Sequence, residues 1–481
     1  MIESKKVTGN YRWTICSLLF FATTINYLDR QVLSLTWKDF ISPEFHWTNN
    51  DYGNITALFS IFYAVSLLFA GRFVDIMDTR KGFLWAIGIW SVGACLHAFA
   101  GIATSGIITG NWFVGFEGAK DIIGTINDTG MVISVSVTLF IFARFVLALG
   151  EAGNFPAAIK TTAEYFPKKD RAFSTSIFNA GATVGALVAP ISIPFIAKAY
   201  GWEMAFIIIG ALGFVWMGFW IFLYDKPEKH PKVGAEELAY IQQDTFADSQ
   251  LEGYVPENTD KVSLMDCFKY KQTWAFAFGK FMTDGVWWFF LFWTPAYLSS
   301  VYNMDSTQAA LPLFVLYMIT LLSIVGGWLP TYFVEKKGMN PYEGRMKAML
   351  IFAFFPLLAL IAQPLGHYTY WIPVIIIGIA GAAHQSWSAN IFTTVGDMFP
   401  KKAIATVTGI GGLAGGIGST IINKGSGMLF DYSKDTNMEF MGFQGIEGGY
   451  LIVFSICAVC YLIGWSVMRV LVPKYAPIND L

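Results

Sequence analysis

The chain has 481 residues, a net charge of −2, and a composition that excludes most classes of soluble protein. Hydrophobic residues make up 55% of it and Asp, Glu, Lys and Arg only 14%, whereas a soluble domain carries roughly 25% charged residues. A soluble enzyme, a disordered chain and a disulfide-rich secreted domain are therefore excluded. The balanced charge also argues against a nucleic-acid partner.

Apolar segments long enough to cross a bilayer recur along the whole chain. About 20 apolar residues cover the ~30 Å of hydrocarbon in a membrane. The sequence therefore predicts an all-α polytopic membrane protein with twelve transmembrane helices. The predicted spans are 13–36, 52–74, 83–102, 135–158, 173–196, 202–224, 273–300, 307–333, 347–364, 370–394, 404–429 and 448–471.

The distribution of lysine and arginine predicts the orientation of these spans. An even number of spans places both termini on one side, and loops rich in Lys and Arg stay in the cytoplasm. The loops on the side of the termini contain the basic pairs 80–81, 168–169, 336–337 and 401–402. The opposite loops hold little beyond Lys38, Lys120, Lys198 and Lys434. Both termini are predicted to be cytoplasmic.

Two short echoes indicate that the halves of the chain are related. Segment 164–169 (EYFPKK) resembles 397–402 (DMFPKK) at an offset of 233, and Arg80-Lys81-Gly82 resembles 336–338 at an offset of 256. The two offsets, 256 and 233, differ by 23. This difference predicts about 23 extra residues in the first half, at about 103–134 on the extracytoplasmic side. Repeated sets of spans are typical of transporters.

We accordingly expect two six-helix bundles, at 1–224 and 273–481, joined by a cytoplasmic linker at 225–272.

The loop after the second span resembles the signature of the major facilitator superfamily. It reads Gly71-x-x-x-Asp75 followed by Arg80-Lys81-Gly82. The resemblance covers the whole chain except the insertion. It implies that these five residues form a cytoplasmic gate motif, in which the glycines let helices approach and the charges latch helix ends.

Further motifs resemble one branch of that superfamily. Segment 26–30 (NYLDR) is similar to the anion:cation symporter family. Segments 144–156, 281–289 and 383–385 are similar to its bacterial hexuronate transporters, although Gly285 stands where that branch commonly has proline. The resemblance implies transport of a sugar acid across the bacterial inner membrane.

A few charged residues fall inside the predicted spans. A charge at bilayer depth costs at least ~2.5 kcal/mol, so such residues are functional candidates. Asp29 and Arg30 lie about 24 Å along the first span from Trp13. Arg144 lies near the middle of the fourth span, and Glu151 is almost two helical turns further on, on the same face. The two arginines offer forked donors suited to a carboxylate.

The second half contributes its own polar residues. Lys280 and Asp284 are four residues apart and can pair on one helix face. His384 is the counterpart of Glu151 at the offset of 233, so both can face one central cavity. Trp287 lies in mid-span, where its ring can stack on a pyranose, and Gln385 follows His384.

The family resemblance implies roles for the arginines, acidic residues and tyrosines of the first half, whereas the residues of the second half are candidates from their positions in the spans. Asp29 and Glu151 match positions that carry coupling protons, and Lys280 with Asp284 is a candidate ion pair in the site. The remaining candidates are assigned to substrate binding: Tyr27, Arg30, Tyr63, Arg144, Trp287, His384 and Gln385.

Structural interpretations of the same residues stay open. Asp29 with Arg144, or Lys280 with Asp284, can be an ion pair that only holds helices together. Lys280 can extend its amine toward the membrane surface, His384 can be a packing residue, and the tryptophans can be interfacial anchors.

The leading hypothesis is proton-coupled symport of a hexuronate, glucuronate or galacturonate, by alternating access. Sodium is an alternative coupling ion, and an aldonate or aldarate is an alternative substrate. An organophosphate exchanger fits less well, because that group resembles this chain but uses an arginine in span seven where Lys280 stands. A membrane enzyme or sensor lacks the motifs it needs. We expect no metal, no cofactor and a monomer in the lipid bilayer.

Overall fold

The computed structural model describes residues 9–243, 262–478 and 481, and long helices dominate them. The helices of the first half, α1 to α10, are Tyr11–Thr36, Ser42–Phe45, Asn49–Met77, Thr79–Ala98, Ala100–Thr109, Phe116–Thr125, Thr129–Glu151, Asn154–Tyr165, Lys168–Tyr200 and Trp202–Leu223. Those of the linker region and the second half, α11 to α20, are Ala235–Ile241, Leu264–Cys267, Lys271–Tyr302, Ala310–Thr320, Val325–Lys337, Pro341–Phe354, Ala362–Gly366, Trp371–Met398, Lys401–Asp435 and Ile446–Leu471.

Short irregular elements complete these helices. A π-helical turn, Trp37–Ile41, extends α1. Two 3₁₀ segments, Leu321–Ile324 and Phe355–Ile361, join consecutive α-helices in the second half. The strands β1 (Glu439–Phe440) and β2 (Phe443–Gln444) pair antiparallel before α20. The prediction of an all-α fold is confirmed, since this small hairpin is the one sheet among the described residues.

Within the described residues, nine helices or continuous helix pairs are long and apolar enough to cross a membrane. A tenth span is counted if α4 and α5, which bend by 56° at their junction, are taken together. α1 and α13 have 26 and 32 residues but are not among the nine. They carry the charged residues Asp29, Arg30, Lys280 and Asp284, which lower their hydropathy. The count of twelve spans, and the cytoplasmic side of the termini, therefore stay predictions.

Side-chain caps define where several helices begin. Thr48 accepts a hydrogen bond from the backbone of Asp51, whose carboxylate accepts one from the backbone of Thr48 in return, and this capping box starts α3. Asp128 caps α7 and Asn340 caps α16. Such caps satisfy backbone N–H groups that the first helical turn leaves without partners.

Both ends of the helix bundle can be recognised from their contacts. At the end that we call the linker end, Arg12 pairs with Glu237 of the linker at 3.1 Å, and Ile478 donates to the carbonyl of Met398 at 2.8 Å. The opposite end, called the far end, carries α2, α6 and the β-hairpin. The boundaries 1–224, 225–272 and 273–481 remain our proposed division of the chain.

Glycines allow the same close helix contact in each half. A Cβ added at Gly185 of α9 would lie 2.5 Å from the carbonyl oxygen of Thr24 in α1. A Cβ at Gly418 of α19 would lie 2.0 Å from the carbonyl oxygen of Phe281 in α13. Gly185 and Gly418 are separated by the offset of 233 found in the sequence. The internal repeat thus extends to the way in which the charged helices α1 and α13 are packed.

We expect Gly418→Ala to lower the stability of the chain by about 1–3 kcal/mol, the usual effect of overpacking a tight contact. The methyl group meets a backbone carbonyl, which cannot rotate away. Thermal melting of the purified chain measures the effect. Gly425→Ala, on the same helix with open space around the added methyl, is the control. Equal melting temperatures for the two variants would contradict the account.

The segment 103–134, where we predict an insertion, contains the end of α5, all of α6 and the start of α7. α5 continues from α4 and ends at Gly110, which has a φ of +81°. After a short loop, α6 packs against α5 and α2. Glu44 of α2 accepts a hydrogen bond from the indole of Trp202 at 2.8 Å. The inserted residues are therefore attached to the first half by contacts of their own.

Protonation of Glu44, at the far end, is expected to stabilise the folded chain. Burial raises the pKa of the Glu44 carboxyl from 4.5 to about 7, with smaller effects from Trp202, Glu203, Lys120 and Glu117. Because the folded chain binds this proton more tightly than the unfolded chain, the stabilisation is full below pH 4.5 and is lost as pH rises through 7.

We predict that the melting temperature falls by about 1–2 °C between pH 5 and pH 8 through this group. Glu44→Gln should remove that part of the pH dependence, whereas replacing the exposed Glu439 of β1 by Gln should keep it. Melting curves of the three proteins at the two pH values check the prediction. An unchanged pH dependence in Glu44→Gln would show that Glu44 is not responsible.

Candidate functional site

A buried ion pair between Arg30 and Glu151 lies at the centre of the candidate site. Arg30 Nε and Nη2 donate to Glu151 Oε2 at 3.0 and 2.7 Å. Both side chains are almost completely buried, with 4% and 0% of their surface exposed. Glu151 is the last residue of α7, and Ala152 and Gly153 separate α7 from α8. Glu151 Oε1 has no partner among the described residues.

Aromatic rings from both halves surround Arg30. The guanidinium carbon lies 5.1 Å from the ring centre of Tyr27, 4.7 Å from that of Tyr63 and 4.9 Å from that of Trp288. Tyr27 and Tyr63 belong to α1 and α3, whereas Trp288 belongs to α13 of the second half. All three rings are half-buried. They place the cation against π faces that attract positive charge, on the boundary between the halves.

Arg144 and Asp29 lie deeper in the first half. Arg144 is 2% and Asp29 1% exposed. The ion pair between them that the sequence suggested is absent from the salt bridges of the described residues. Arg144 Nε and Nη1 and both carboxylate oxygens of Asp29 have no hydrogen-bond partner within the described part of the chain. Arg144 lies 5.0 Å above the ring of Phe59, which also contacts Arg30.

Lys280 and Asp284 form an ion pair in α13, as their spacing predicted. The Nζ–Oδ2 distance is 2.7 Å, and the side chains are 6% and 15% exposed. The Lys280 amine also lies 4.2 Å from the ring centre of Phe392 in α18. A Cβ on Gly415 would meet the Asp284 carboxylate, so this pair lies where α13 and α19 touch.

His384 is held by neighbours in the second half. Its ring stacks on Trp287 at 5.4 Å, and its Nδ1 lies 2.8 Å from the hydroxyl of Tyr461. The 4% exposed histidine therefore has a packed and hydrogen-bonded environment. Gln385 is half-buried, and its side chain makes no hydrogen bond with the described residues.

The gate motif lies at the linker end of α3 and α4. Gly82 packs against the backbone of Val74, where an added Cβ would lie 3.0 Å from its Cα, whereas Gly71 has open space around it. Arg80 pairs with Asp225 at 3.6 Å and donates to the carbonyl of Ile221.

The two remaining charged residues of the motif are Lys81 and Asp75. Lys81 is exposed. The side chain of Asp75 is outside the described residues.

Polar contacts close the far end between the two halves. The Asp431 carboxylate of α19 accepts from the backbone N–H groups of Asn49 and Asn50 at the start of α3, at 3.0 and 2.6 Å. Lys424 donates to Asn50 Oδ1 at 2.7 Å. The Tyr52 hydroxyl donates to the carbonyl of Phe292 at 2.8 Å.

At the linker end, no hydrogen bond or ion pair joins the two halves in the ranges that the structure describes. Among the described residues, the polar contacts between the two halves are therefore concentrated toward the far end.

Several of these contacts were not predicted from sequence. The Arg30–Glu151 pair depends on how α1 crosses α7, which helical spacing does not encode. Trp288 contacts Arg30, whereas the predicted substrate residue Trp287 packs on His384. We predicted Trp287 from the sequence, although nothing in the sequence distinguishes it from its neighbour Trp288. Asp431, an acidic residue just beyond the predicted span 404–429, could have indicated a polar contact at that end of the helix.

Comparisons with known proteins agree with this architecture. The family model of the Major Facilitator Superfamily matches residues 19–422. The hexuronate transporter of Escherichia coli (strain K12) is 26% identical over 471 residues, covering 97% of this chain and 95% of the relative. The probable galactarate/D-glucarate transporter of the same organism is 23% identical, covering 96% of each chain.

A solved structure supports the fold independently. The bacterial homologue of the human lysosomal transporter Spinster, inward-facing and unoccupied, superimposes with a TM-score of 0.70 at 16% identity. The match covers 98% of this chain and all of that one.

Proposed function

The chain belongs to the major facilitator superfamily, and from this premise we propose that it is a secondary active transporter that couples the uptake of a hexuronate to protons moving inward. As a member of that superfamily it is a multi-pass membrane protein and a transporter, not an enzyme. The match between its fold and an inward-facing structure supports transport by alternating access.

The observation that carries the proposal is the Arg30–Glu151 ion pair. Arg30 is the cation that faces the boundary between the halves, and its forked donors suit a substrate carboxylate. In this structure the Glu151 carboxylate occupies two of those donors. A substrate carboxylate must therefore compete with Glu151 for the same guanidinium.

Protonation of Glu151 resolves this competition. A neutral carboxyl no longer balances the charge of Arg30, so Arg30 becomes available to the substrate anion. Proton and anion then bind together and favour one another, as two ligands of a coupled site must. When Glu151 releases its proton on the other side, its carboxylate returns to Arg30 and displaces the substrate.

The surroundings of Arg30 favour a sugar acid over other anions. Tyr27, Tyr63 and Trp288 offer flat apolar faces on which a pyranose ring can stack, as well as polar atoms at their edges. A hexuronate combines one carboxylate with such a ring, and the relative in Escherichia coli is named a hexuronate transporter.

A binding panel tests the substrate class. We expect galacturonate and glucuronate to raise the melting temperature of the purified chain at pH 6, and neutral galactose, of the same size, to leave it unchanged. Sugar phosphates should have no effect. Stabilisation by sugar phosphates but not by either hexuronate would overturn the proposal.

An aldarate is the second candidate. The relative named as a probable galactarate/D-glucarate transporter spans nearly the whole chain. An aldarate has two carboxylates and requires two cations, and Arg144 has donors without partners among the described residues. Galactarate and galacturonate in the same panel distinguish the two candidates. If the site prefers an aldarate, galactarate raises the melting temperature more than galacturonate does.

A further inference from the structure

An apolar groove lies on the outer surface of the first half, away from the Arg30 site. It has a volume of about 510 Å³ and lies between α4, α7 and α10. This volume falls within the ~300–1,000 Å³ of ordinary ligand pockets. Trp85, Val146, Phe214 and Met217 line it, together with other apolar residues and with Lys81 at one end.

The groove opens outward, where the membrane surrounds the protein. Trp85 is 56% and Val92 45% exposed, and both line the groove. Gly88 forms part of the wall, and a Cβ there would touch only the side chain of Met217, at 3.5 Å or more. The absence of a side chain at Gly88 contributes directly to the depth of the groove.

The length of the groove matches one leaflet of a bilayer. Lys81 and Val92 mark its two ends along α4. Eleven residues of helix rise roughly 16 Å, about half of the ~30 Å of hydrocarbon in a membrane. A groove of that length accommodates an acyl chain running from the membrane surface to the midplane.

Lys81 supplies a cation at the surface end of the groove. Its side chain is exposed, and its amine makes no hydrogen bond or ion pair with the described residues. Its neighbour Arg80, by contrast, is bound to Asp225 and to the carbonyl of Ile221. The predicted gate motif therefore leaves the amine of Lys81 unused in this structure. An amine beside an apolar groove complements a lipid with a negative headgroup.

We propose that this groove binds one anionic phospholipid, with an acyl chain lying along α4 between Trp85 and Phe214 and its headgroup phosphate on Lys81. The apolar wall provides affinity for the chain, and Lys81 provides selectivity for negative headgroups. A lysine close to an anionic surface contributes about 1 kcal/mol, which predicts a preference of roughly fivefold over a zwitterionic lipid of identical chains.

Native mass spectrometry of the purified full-length chain tests the proposal. The probes are dioleoyl phosphatidylglycerol and dioleoyl phosphatidylcholine, which share their acyl chains. Lys81→Gln should keep lipid binding and lose the roughly fivefold preference for the glycerol headgroup. Gly88→Leu should fill the groove and reduce binding of both lipids to this site.

Two matched variants control for general effects. Lys402, like Lys81, is an exposed lysine near the first turn of a long helix at the linker end. Gly327 is an exposed helical glycine with open space around it. Lys402→Gln and Gly327→Leu should both bind the lipid as the wild type does and keep the preference for phosphatidylglycerol over phosphatidylcholine. The proposal is overturned if the wild type shows no preference for phosphatidylglycerol, if Lys402→Gln loses that preference as Lys81→Gln does, or if Gly327→Leu loses lipid binding as Gly88→Leu does.

Discussion

Glu151→Gln abolishes the accumulation of substrate driven by a proton gradient, while exchange of labelled for unlabelled substrate across the membrane persists. Glutamine keeps the shape of glutamate and can still accept from Arg30, but it cannot carry a proton. Because it leaves Arg30 without a charged competitor, substrate binds at every pH. Uptake and counterflow in the same proteoliposomes measure the two activities separately.

The control for this variant is Glu203→Gln. Glu203 lies at the start of α10, at the far end and outside the candidate site, so both activities should be retained. Accumulation by Glu151→Gln at the wild-type level would assign the coupling proton elsewhere, and Asp29, whose carboxylate oxygens have no partner among the described residues, would be the next carboxyl to replace.

Arg30→Lys weakens the binding of a hexuronate by about 10- to 100-fold, the value of one charge-assisted hydrogen bond. Lysine keeps the charge but loses the planar fork that meets two oxygens at once. Its amine also replaces the guanidinium that lies within 5.1 Å of the ring centres of Tyr27, Tyr63 and Trp288. Titration calorimetry with galacturonate at pH 6 measures the loss of affinity.

Arg345→Lys serves as the matched control. Arg345 also pairs with a carboxylate, that of Asp397 at 2.6 Å, but at the linker end of the second half. We expect galacturonate to bind this variant as it binds the wild type. Unchanged affinity in Arg30→Lys would mean that Arg30 does not hold the substrate carboxylate.

The stability of Arg30 variants gives a separate readout of the ion pair. Arg30→Gln alone leaves Glu151 charged and buried, which destabilises by about 3–5 kcal/mol. The double variant Arg30→Gln with Glu151→Gln removes both charges and should recover most of that stability. The comparison distinguishes a broken ion pair from a general failure to fold.

Hydropathy and charge predicted most of the architecture, because both act locally along the chain. The apolar runs mark the helices, and the echo between the halves predicts an insertion at about 103–134. α1 and α13, which carry Asp29, Arg30, Lys280 and Asp284, are not among the helices that are apolar enough to count as membrane spans. Their burial depends on close contacts at Gly185 and Gly418.

The site was predicted less completely, since its geometry depends on how helices are rotated and crossed. The charged residues were identified from their cost in a membrane. Their partners were not identified, because Arg30 and Glu151 belong to helices that are distant in sequence, α1 and α7, and meet only where these helices pack. Successive residues of a helix point about 100° apart, so Trp287 and Trp288 face different neighbours and only the fold decides which one meets Arg30.

In the proposed function, galacturonate or glucuronate and a proton cross the membrane together. Proteoliposomes that contain the purified chain and a pH dye inside test it directly, with no membrane potential imposed. We predict that adding galacturonate outside acidifies the interior, and that an inward proton gradient raises accumulation of labelled galacturonate until a protonophore collapses it. Uptake that is equal with and without the gradient, with no internal acidification, would contradict the account.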